Sequence, residues 1–304
     1  MKIAFLGAGA VGLSVAGMLS RVCDVYGVCR KRHADAIESR GLILTGIWGE
    51  HNFRFPCGEN LPADEKFDYI FITSKSQDTR KICEMNADAI KDTNVISLQN
   101  GIGNEEIISE FTDRVIGGMI ITGFEWKGDG EVHVSVQAAP LKLGRFPSGL
   151  DGDVTALADI IQKAGIDIIT DENIRGALWG KTLYNCALNP IGAIMQVPYG
   201  ELLDENAWMV ITDIVHEAFE VCRAEGVTLE WSSPEEYLRF LHDTQIPSTA
   251  DHHSSMYQDI STGKKTEIDF INGAVVDKGN FHDIDTPVNR TIVNMIKFRE
   301  SLNK

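Results

Sequence analysis

Lys181, Asn185 and Asn189 recur at i, i+4 and i+8, a spacing that puts an ammonium and two carboxamides on one side of one helix. An ammonium can give its proton to a carbonyl oxygen as negative charge develops there, and a carboxamide can both donate to and accept from a substrate hydroxyl. Asparagine is a poor helix-interior residue unless its side chain has a partner, and a merely solvated face draws on Glu and Lys instead. The set therefore reads as a recognition face with Lys181 as its acid. Leu178, Leu183, Ala187, Leu188 and Ile191 pack the rest of the helix, while Pro190 frees the carbonyl of Cys186 and is expected to kink the helix just beyond Asn189.

A second pattern stands at the other end of the chain. Gly7-Ala8-Gly9-Ala10-Val11-Gly12 is G-x-G-x-x-G, placed directly after the apolar run Ile3-Ala4-Phe5-Leu6 and before helical spacing in Val11, Val15, Met18 and Leu19. In that context Gly7 makes the tight turn, Gly9 lets backbone approach a pyrophosphate, and Gly12 permits close packing of helix on strand. A dinucleotide cofactor follows, and with it hydride transfer to a carbonyl that Lys181 protonates. An NAD-preferring site carries an acid at the end of the second strand, but here that place holds Arg30-Lys31-Arg32. Three cations suit a 2′-phosphate, so NADPH/NADP+ is the expected cofactor, with Arg30 the leading contact.

Positioning these groups takes two kinds of architecture. Residues 22–28, 67–73 and 95–98 read as further strands, with polar helical stretches around 81–90 and 105–111 between the later ones, so the sheet is mostly parallel. Segments 42–55 and 115–136, turning at Gly46-Ile47-Trp48-Gly49 and Gly128-Asp129-Gly130, read as antiparallel hairpins added to that sheet. Residues 166–170 read as the last strand. Beyond it the periodicity is helical: 173–193, 205–226, 234–243, 250–260, 266–278 and 287–302, with caps at Ser233-Pro234 and Thr286-Pro287. The predicted class is α/β, an N-terminal Rossmann-type doubly wound sheet (1–170, NADP-binding) followed by an all-α C-terminal domain (171–304, substrate and catalysis). Lys75 and Asn100 fall where strands end, the edge at which such sheets bind ligands.

Composition excludes other classes. The 304 residues carry 28 Lys and Arg against 44 Asp and Glu, a net charge of −16, unsuited to a surface that neutralises nucleic-acid phosphates or anionic lipid. Six scattered cysteines form neither a C-x-x-C pair nor a metal-finger spacing, and read as reduced thiols of a cytoplasmic protein. Glycines cut the first apolar run, so no signal peptide is expected, and no stretch reaches the roughly 20 apolar residues of a membrane span. Asp251, His252 and His253 lack a third ligand at useful spacing, so no metal is expected.

The run Asn173-Ile174-Arg175, Leu178-Trp179, Lys181, Asn185-Cys186 and Asn189-Pro190 resembles the central motif of the ketopantoate reductases (2-dehydropantoate 2-reductases). Gln99 to Glu105 and the segment from Ser254-Ser255-Met256 through Gln258-Asp259 to Thr266-Glu267-Ile268-Asp269 match in the same order. The resemblance implies NADPH-dependent reduction of 2-dehydropantoate to (R)-pantoate, a step toward pantothenate and coenzyme A. It implies Lys181 as proton donor, Asn185, Asn189 and Ser255 as substrate contacts, and Asn100 as a contact of both substrate and cofactor. Lys75, Arg30 and Glu267 are implied on the cofactor side. For Ser255 and Glu267 the residues alone offer only a helix cap and a helix-face charge. Two positions depart from the family pattern: His252-His253 and Tyr199 stand where Asn can occur. The alternatives are reduction of another branched or aromatic 2-oxo acid, and a non-catalytic NADP(H)-binding sensor. The expected partner is a small 2-oxo acid, with no nucleic acid or membrane, and assembly as a homodimer is left open.

Overall fold

A computed structural model describes residues 1–302. The chain forms two compact units, Met1–Gln99 with Asn104–Arg175, and Asn100–Gly103 with the residues from Gly176 onward.

The first unit is built on an eight-stranded sheet, in chain order β1 (Lys2–Leu6), β2 (Asp24–Val28), β5 (Cys57–Gly58), β6 (Tyr69–Ile72), β7 (Asn94–Ser97), β8 (Val115–Met119), β11 (Leu141–Arg145) and β12 (Ile168–Thr170). Its spatial order is β12-β11-β8-β7-β6-β1-β2-β5, and every neighbouring pair is parallel except β8 with β11. Strands β6, β7 and β8 are buried at every position, as continuous Val- and Ile-rich runs covered on both faces must be. Helices α1 (Ala10–Leu19), α2 (Lys31–Arg40), α3 (Thr79–Met85), α4 (Ala87–Ile90), α5 (Asn104–Ser109) and α6 (Gly152–Lys163) complete the doubly wound arrangement. The predicted α/β class is correct.

Both hairpins form at the expected turns but stand apart from the large sheet. Strands β3 (Leu42–Gly46), β4 (His51–Phe53), β9 (Thr122–Gly128) and β10 (Glu131–Gln137) form a separate four-stranded sheet in the order β4-β3-β10-β9. Residues 115–119 meanwhile belong to the large sheet as β8 rather than to a hairpin. Burial explains the split: β8 is apolar and covered on both faces, whereas β9 and β10 are only half covered. The small sheet's inner side chains Leu42 and Phe53 press on α1 so tightly that a Cβ at Gly17 would stand 2.9 Å from one and 2.6 Å from the other. Helix α6 and strand β11 are additions to the predicted elements. The α6 pattern is regular, with Val154, Leu157, Ala158 and Ile161 buried and Asp151 capping the Val154 amide.

The second unit is helical: α7 (Ile174–Met195), α8 (Glu205–Ala224), α9 (Pro234–Phe240), α10 (Ile246–Ser248), α11 (Ser255–Ser261), α12 (Asn272–Phe281) and α13 (Pro287–Ser301). Helix α7 enters the unit at Gly176. Helix α8 buries Ile211, Ile214, Val215, Ala218, Phe219 and Cys222 along one stripe, and Asp204 caps its first turn. As predicted, Ser233 caps α9 and Pro234 opens it. The expected helix over 250–260 begins only at Ser255, because the backbone before it bonds elsewhere: the Tyr199 amide donates to His252 O and the Gly200 amide to Ala250 O. Among the described residues no helix is long and apolar enough to cross a membrane.

Candidate active site

Each unit gathers part of the predicted constellation. In the first, Gly7 has φ +63°, and a Cβ there would lie 2.5 Å from Ser74 Cβ, so the turn after β1 admits only glycine. The Ala8 amide donates to Val28 O at 2.8 Å, tying this turn to the end of β2. A Cβ on Gly12 would overlap Thr73 Oγ1, whereas one on Gly9 would meet nothing within 4 Å. These are the three roles expected of the glycines: turn, open approach, and close packing of helix on strand. Gly9 occupies the N-cap position of α1 without side-chain capping, and the first turn of α1 carries no acid. Its amides are therefore suited to an anion, with no competing carboxylate from the first turn of their own helix.

Arg30 sits at the N-cap position of α2, exposed and with extended backbone. Its two cationic neighbours are engaged, Lys31 with Asp35 at 2.8 Å and Arg32 with Asp129 at 3.3 Å. Arg30 makes no side-chain hydrogen bond or ion pair among the described residues, which makes it the one of the three ready for a ligand. Buried His33 stacks on Trp126 at 4.1 Å between ring centroids, and burial pushes its imidazole below the ordinary histidine range. Neutral at pH 7, it adds no fourth cation to this helix start.

Half-buried Lys75 follows Ser74 and opens a short 3₁₀ turn over Ser76–Asp78. A side-chain network absent from the sequence reading holds this turn. Gln99 Nε2 donates to Ser74 O at 3.1 Å and to Thr79 Oγ1 at 2.8 Å, Thr79 Oγ1 donates to Asn104 Oδ1 at 2.8 Å, and Asn104 Nδ2 to Ser76 Oγ at 3.2 Å. Nothing in the local pattern announces it, since bonded pairs within it lie up to 28 positions apart.

In the helical unit, Lys181, Asn100 and Glu267 form one chain of contacts. Lys181 Nζ donates to Asn100 Oδ1 at 2.8 Å, and Asn100 Nδ2 donates to Glu267 Oε2 at 3.0 Å. Both bonds are charge-assisted, and together they fix the Asn100 carboxamide with its oxygen toward the ammonium. Backbone geometry holds the arrangement from below. The Ile102 amide donates to Phe270 O at 2.8 Å, and Gly101, at φ +81°, approaches so closely that a Cβ would overlap that same carbonyl oxygen. Glu267 sits at the N-cap position of the short 3₁₀ turn Ile268–Phe270, 6% exposed, rather than on a helix face.

Asn185 and Asn189 continue the face of α7, 7% and 3% exposed. The Asn185 carboxamide makes no hydrogen bond among the described residues. Asn189 Oδ1 accepts from the Tyr199 hydroxyl at 2.7 Å, and its main-chain oxygen accepts from Ser254 Oγ at 3.1 Å. Ser254, not Ser255, is the cap of α11, accepting from the Tyr257 amide at 3.0 Å, and this leaves Ser255 exposed in the helix's first turn. Helix α7 runs through Pro190 to Met195, and the Cys186 carbonyl that the proline frees accepts from buried Asn272 Nδ2 at 3.2 Å. Asn272 Nδ2 also donates to Asn289 Oδ1 at 2.9 Å, and Asn289 Nδ2 to Glu217 Oε2 at 2.7 Å, so the donor end of the proline's polar partner is fully used, while Asn272 Oδ1 is buried without a partner among the described residues.

An ammonium oriented by an amide, with an acid behind it and two further amides on the same helix face, is equipped to protonate a carbonyl oxygen and bind nearby oxygens. Comparison with known proteins agrees with that chemistry. The family model described as ketopantoate reductase PanE/ApbA matches residues 3–148, and its C-terminal counterpart matches residues 173–300. A 2-dehydropantoate 2-reductase of Pyrococcus horikoshii is 36% identical over 99% of this chain and 98% of its own length. Among solved structures, a PanE/ApbA family ketopantoate reductase from Ralstonia eutropha JMP134 superposes with TM-score 0.89 at 32% identity, covering 100% of this chain and 99% of that one. A D-mandelate dehydrogenase solved with NADH and anilino(oxo)acetate superposes with TM-score 0.89 at 28% identity, again covering 100% and 99%. With the glycine turn, the lysine–asparagine–glutamate chain and near-complete coverage in agreement, the chain belongs to the ketopantoate reductase family.

Proposed function

We propose that the protein reduces 2-dehydropantoate to (R)-pantoate with NADPH, a step toward pantothenate and coenzyme A in the cytoplasm. The observation that carries this reading is the bond from Lys181 Nζ to Asn100 Oδ1, backed by Glu267 and set on the same helix as Asn185 and Asn189.

The chain's own residues fit the cofactor. Gly9 leaves open space over the turn, the α1 N-terminus offers amides to the pyrophosphate, and Arg30 offers an unengaged guanidinium to the 2′-phosphate. Lys75, Asn100 and Glu267 complete the proposed cofactor contacts. Residues 1–170 thus take the cofactor role, and 171–304, which Asn100 joins, take substrate and catalysis.

When bound, NADPH supplies the hydride that reduces C2 of the 2-oxo acid. Lys181 gives a proton from Nζ to the oxygen that becomes the C2 hydroxyl, and regains one from solvent afterwards. Asn100 aims the ammonium by accepting one of its three N–H bonds, so the proton is held in a set direction before the carbonyl arrives. Asn185, Asn189 and Ser255 bind the hydroxyl and carboxylate oxygens of the substrate.

A second reading keeps this mechanism and changes the substrate to another branched or aromatic 2-oxo acid. It is favoured by the similarity to a D-mandelate dehydrogenase holding anilino(oxo)acetate, and by Tyr199 packed beside His252 with ring centroids 5.4 Å apart. A non-catalytic sensor is disfavoured by the intact Lys181–Asn100–Glu267 chain. The deciding experiment follows NADPH oxidation by the purified protein with 2-dehydropantoate, 2-oxoisovalerate, pyruvate and phenylglyoxylate in parallel. Turnover confined to 2-dehydropantoate is expected, preference for phenylglyoxylate would transfer the assignment to the second reading, and tight NADPH binding without turnover would leave the sensor.

Cofactor choice has its own test. Replacing Arg30 by Ala is expected to raise the KM for NADPH about ten- to a hundred-fold, the worth of charge-assisted bonds to a phosphate. The KM for NADH should hardly move. Equal losses for both cofactors would remove Arg30 from 2′-phosphate recognition.

A further inference from the structure

Tyr199 follows α7 in the chain, yet its hydroxyl returns to that helix to bond Asn189 at 2.7 Å. Both residues are 3% exposed. Burial among neighbours that include Tyr184 drives the Tyr199 phenol far above its ordinary range, so it stays protonated and keeps a proton to donate. Of the two ends of a carboxamide, the oxygen is the strong acceptor, and a phenol is a better donor than acceptor because its ring withdraws the oxygen lone pairs. The Asn189 oxygen is therefore turned toward Tyr199, which takes one of its two lone pairs, and the amide's two N–H donors, facing the other way, have no partner among the described residues.

The backbone around Tyr199 leaves it little freedom to move away. Its own amide donates to His252 O at 3.1 Å, and the next amide, of Gly200, donates to Ala250 O at 2.9 Å. On the other side, Ser254 Oγ donates to the Asn189 main-chain oxygen while capping α11. Tyr199 and Ser254 thus clamp Asn189 through its side chain and its main chain respectively. Tyr184 meets the Tyr199 ring edge-on at 5.6 Å between centroids and shares its hydroxyl with Thr249 Oγ1 at 3.3 Å, so the phenol ring is walled in as well.

We propose that Tyr199 is a positioning residue that decides which end of the Asn189 carboxamide meets the substrate, holding the oxygen and presenting the NH₂ group as a donor to a substrate oxygen. This rests on the reading of Asn189 as a substrate contact. It makes the site selective for an acceptor at that point, a carboxylate or hydroxyl oxygen, and unfavourable to a donor-only group such as an ammonium.

The test uses full-length Tyr199→Phe, Asn189→Ala and the double variant, each confirmed folded by thermal melting and by an unchanged KM for NADPH, assayed with 2-dehydropantoate. Tyr199→Phe is expected to raise the substrate KM about ten-fold, the worth of one hydrogen bond whose donor now points elsewhere part of the time. Its kcat should change much less, and Asn189→Ala should raise KM at least as far. The double variant should match Asn189→Ala alone, because Tyr199 acts only through that amide. A Tyr199→Phe effect that persists in the Asn189→Ala background, or no effect of Tyr199→Phe where Asn189→Ala has one, overturns the proposal. No effect of Asn189→Ala on the 2-oxo acid overturns instead the reading beneath it. Asn189→Asp supplies a check that does not depend on Tyr199 variants folding. It keeps the acceptor toward the phenol but replaces the donor by a second oxygen, so it should cost more than Asn189→Ala, and an equal or smaller cost would show that the end facing the substrate is not a donor.

Discussion

Replacing Lys181 by Ala is expected to lower kcat by roughly 10²–10⁴-fold, the range of general acid catalysis by one side chain, while the KM for NADPH stays nearly constant. The asymmetry follows from where the residue sits. Lys181 belongs to α7 of the helical unit and donates to Asn100 of the same unit, whereas the glycine turn and Arg30 belong to the other. Lysine to arginine separates proton transfer from charge. A guanidinium keeps a positive group opposite Asn100 Oδ1 but does not release its proton in the accessible pH range. Lys181→Arg should therefore bind substrate better than Lys181→Ala and turn over almost as poorly. Stopped-flow single-turnover rates read the chemical step directly, and a wild-type rate in either variant would take Lys181 out of the reaction.

Two glycines only three positions apart should fail in different ways. Gly12→Ala puts a methyl group onto Thr73 Oγ1 and within 3.0 Å of Thr73 Cβ. Thr73 is β-branched and directly follows β6, so it can neither swing its χ1 freely nor retreat along the sheet. Overpacking of this kind costs about 1–3 kcal/mol, more than the roughly 0.5–1 kcal/mol that Ala gains over Gly inside a helix, so the clash wins. The melting temperature should fall by several degrees, and NADPH affinity should fall with it as α1 lifts from the sheet. Gly9→Ala meets open space from a backbone conformation that any L-residue can adopt, φ −84° and ψ −156°. Its melting temperature should be unchanged, but the methyl group occupies the space that a pyrophosphate needs, so the KM for NADPH should rise sharply. Thermal melting and NADPH titration of the pair distinguish the two, and a Gly9→Ala protein with normal NADPH affinity would show that the turn does not cradle the cofactor.

How much of this was readable beforehand depended on whether the cause was local. The first strand, turn and helix are specified by contiguous residues, and so is the polar face of α7, because helical spacing alone brings Lys181, Asn185 and Asn189 together. Capping by Ser233 and Asp204 is equally local, although only the first was recognised. Where long-range pairing decided the outcome, the pattern misled. Residues 115–136 look like one hairpin, but the fully buried half joins the large sheet and the half-covered remainder pairs with β3, some 90 residues earlier. Residues 250–253 have helical spacing, yet their carbonyls are claimed by the backbone at 199 and 200, which no window around them reveals. The Pro190 reading anticipated a freed carbonyl at Cys186 but not Asn272 as its partner, 86 positions downstream. Tyr199 stood out as a departure from the family pattern, but its bond to Asn189 required coordinates.

The docking of residues Asn100–Gly103 onto the carbonyl of Phe270 has a consequence for the order in which the protein is made. On the ribosome β7, which ends at Ser97, is synthesised early, and amino-terminal units commonly fold while the rest of the chain is still emerging. Asn100–Gly103, which follow β7 after two intervening residues, must then wait for some 170 more to be translated before Phe270 and Glu267 exist to receive them. Until then the glycine turn and Arg30 can be in place, but Lys181 has no fixed carboxamide to orient its ammonium. The catalytic group is thus completed only near the end of the chain's synthesis.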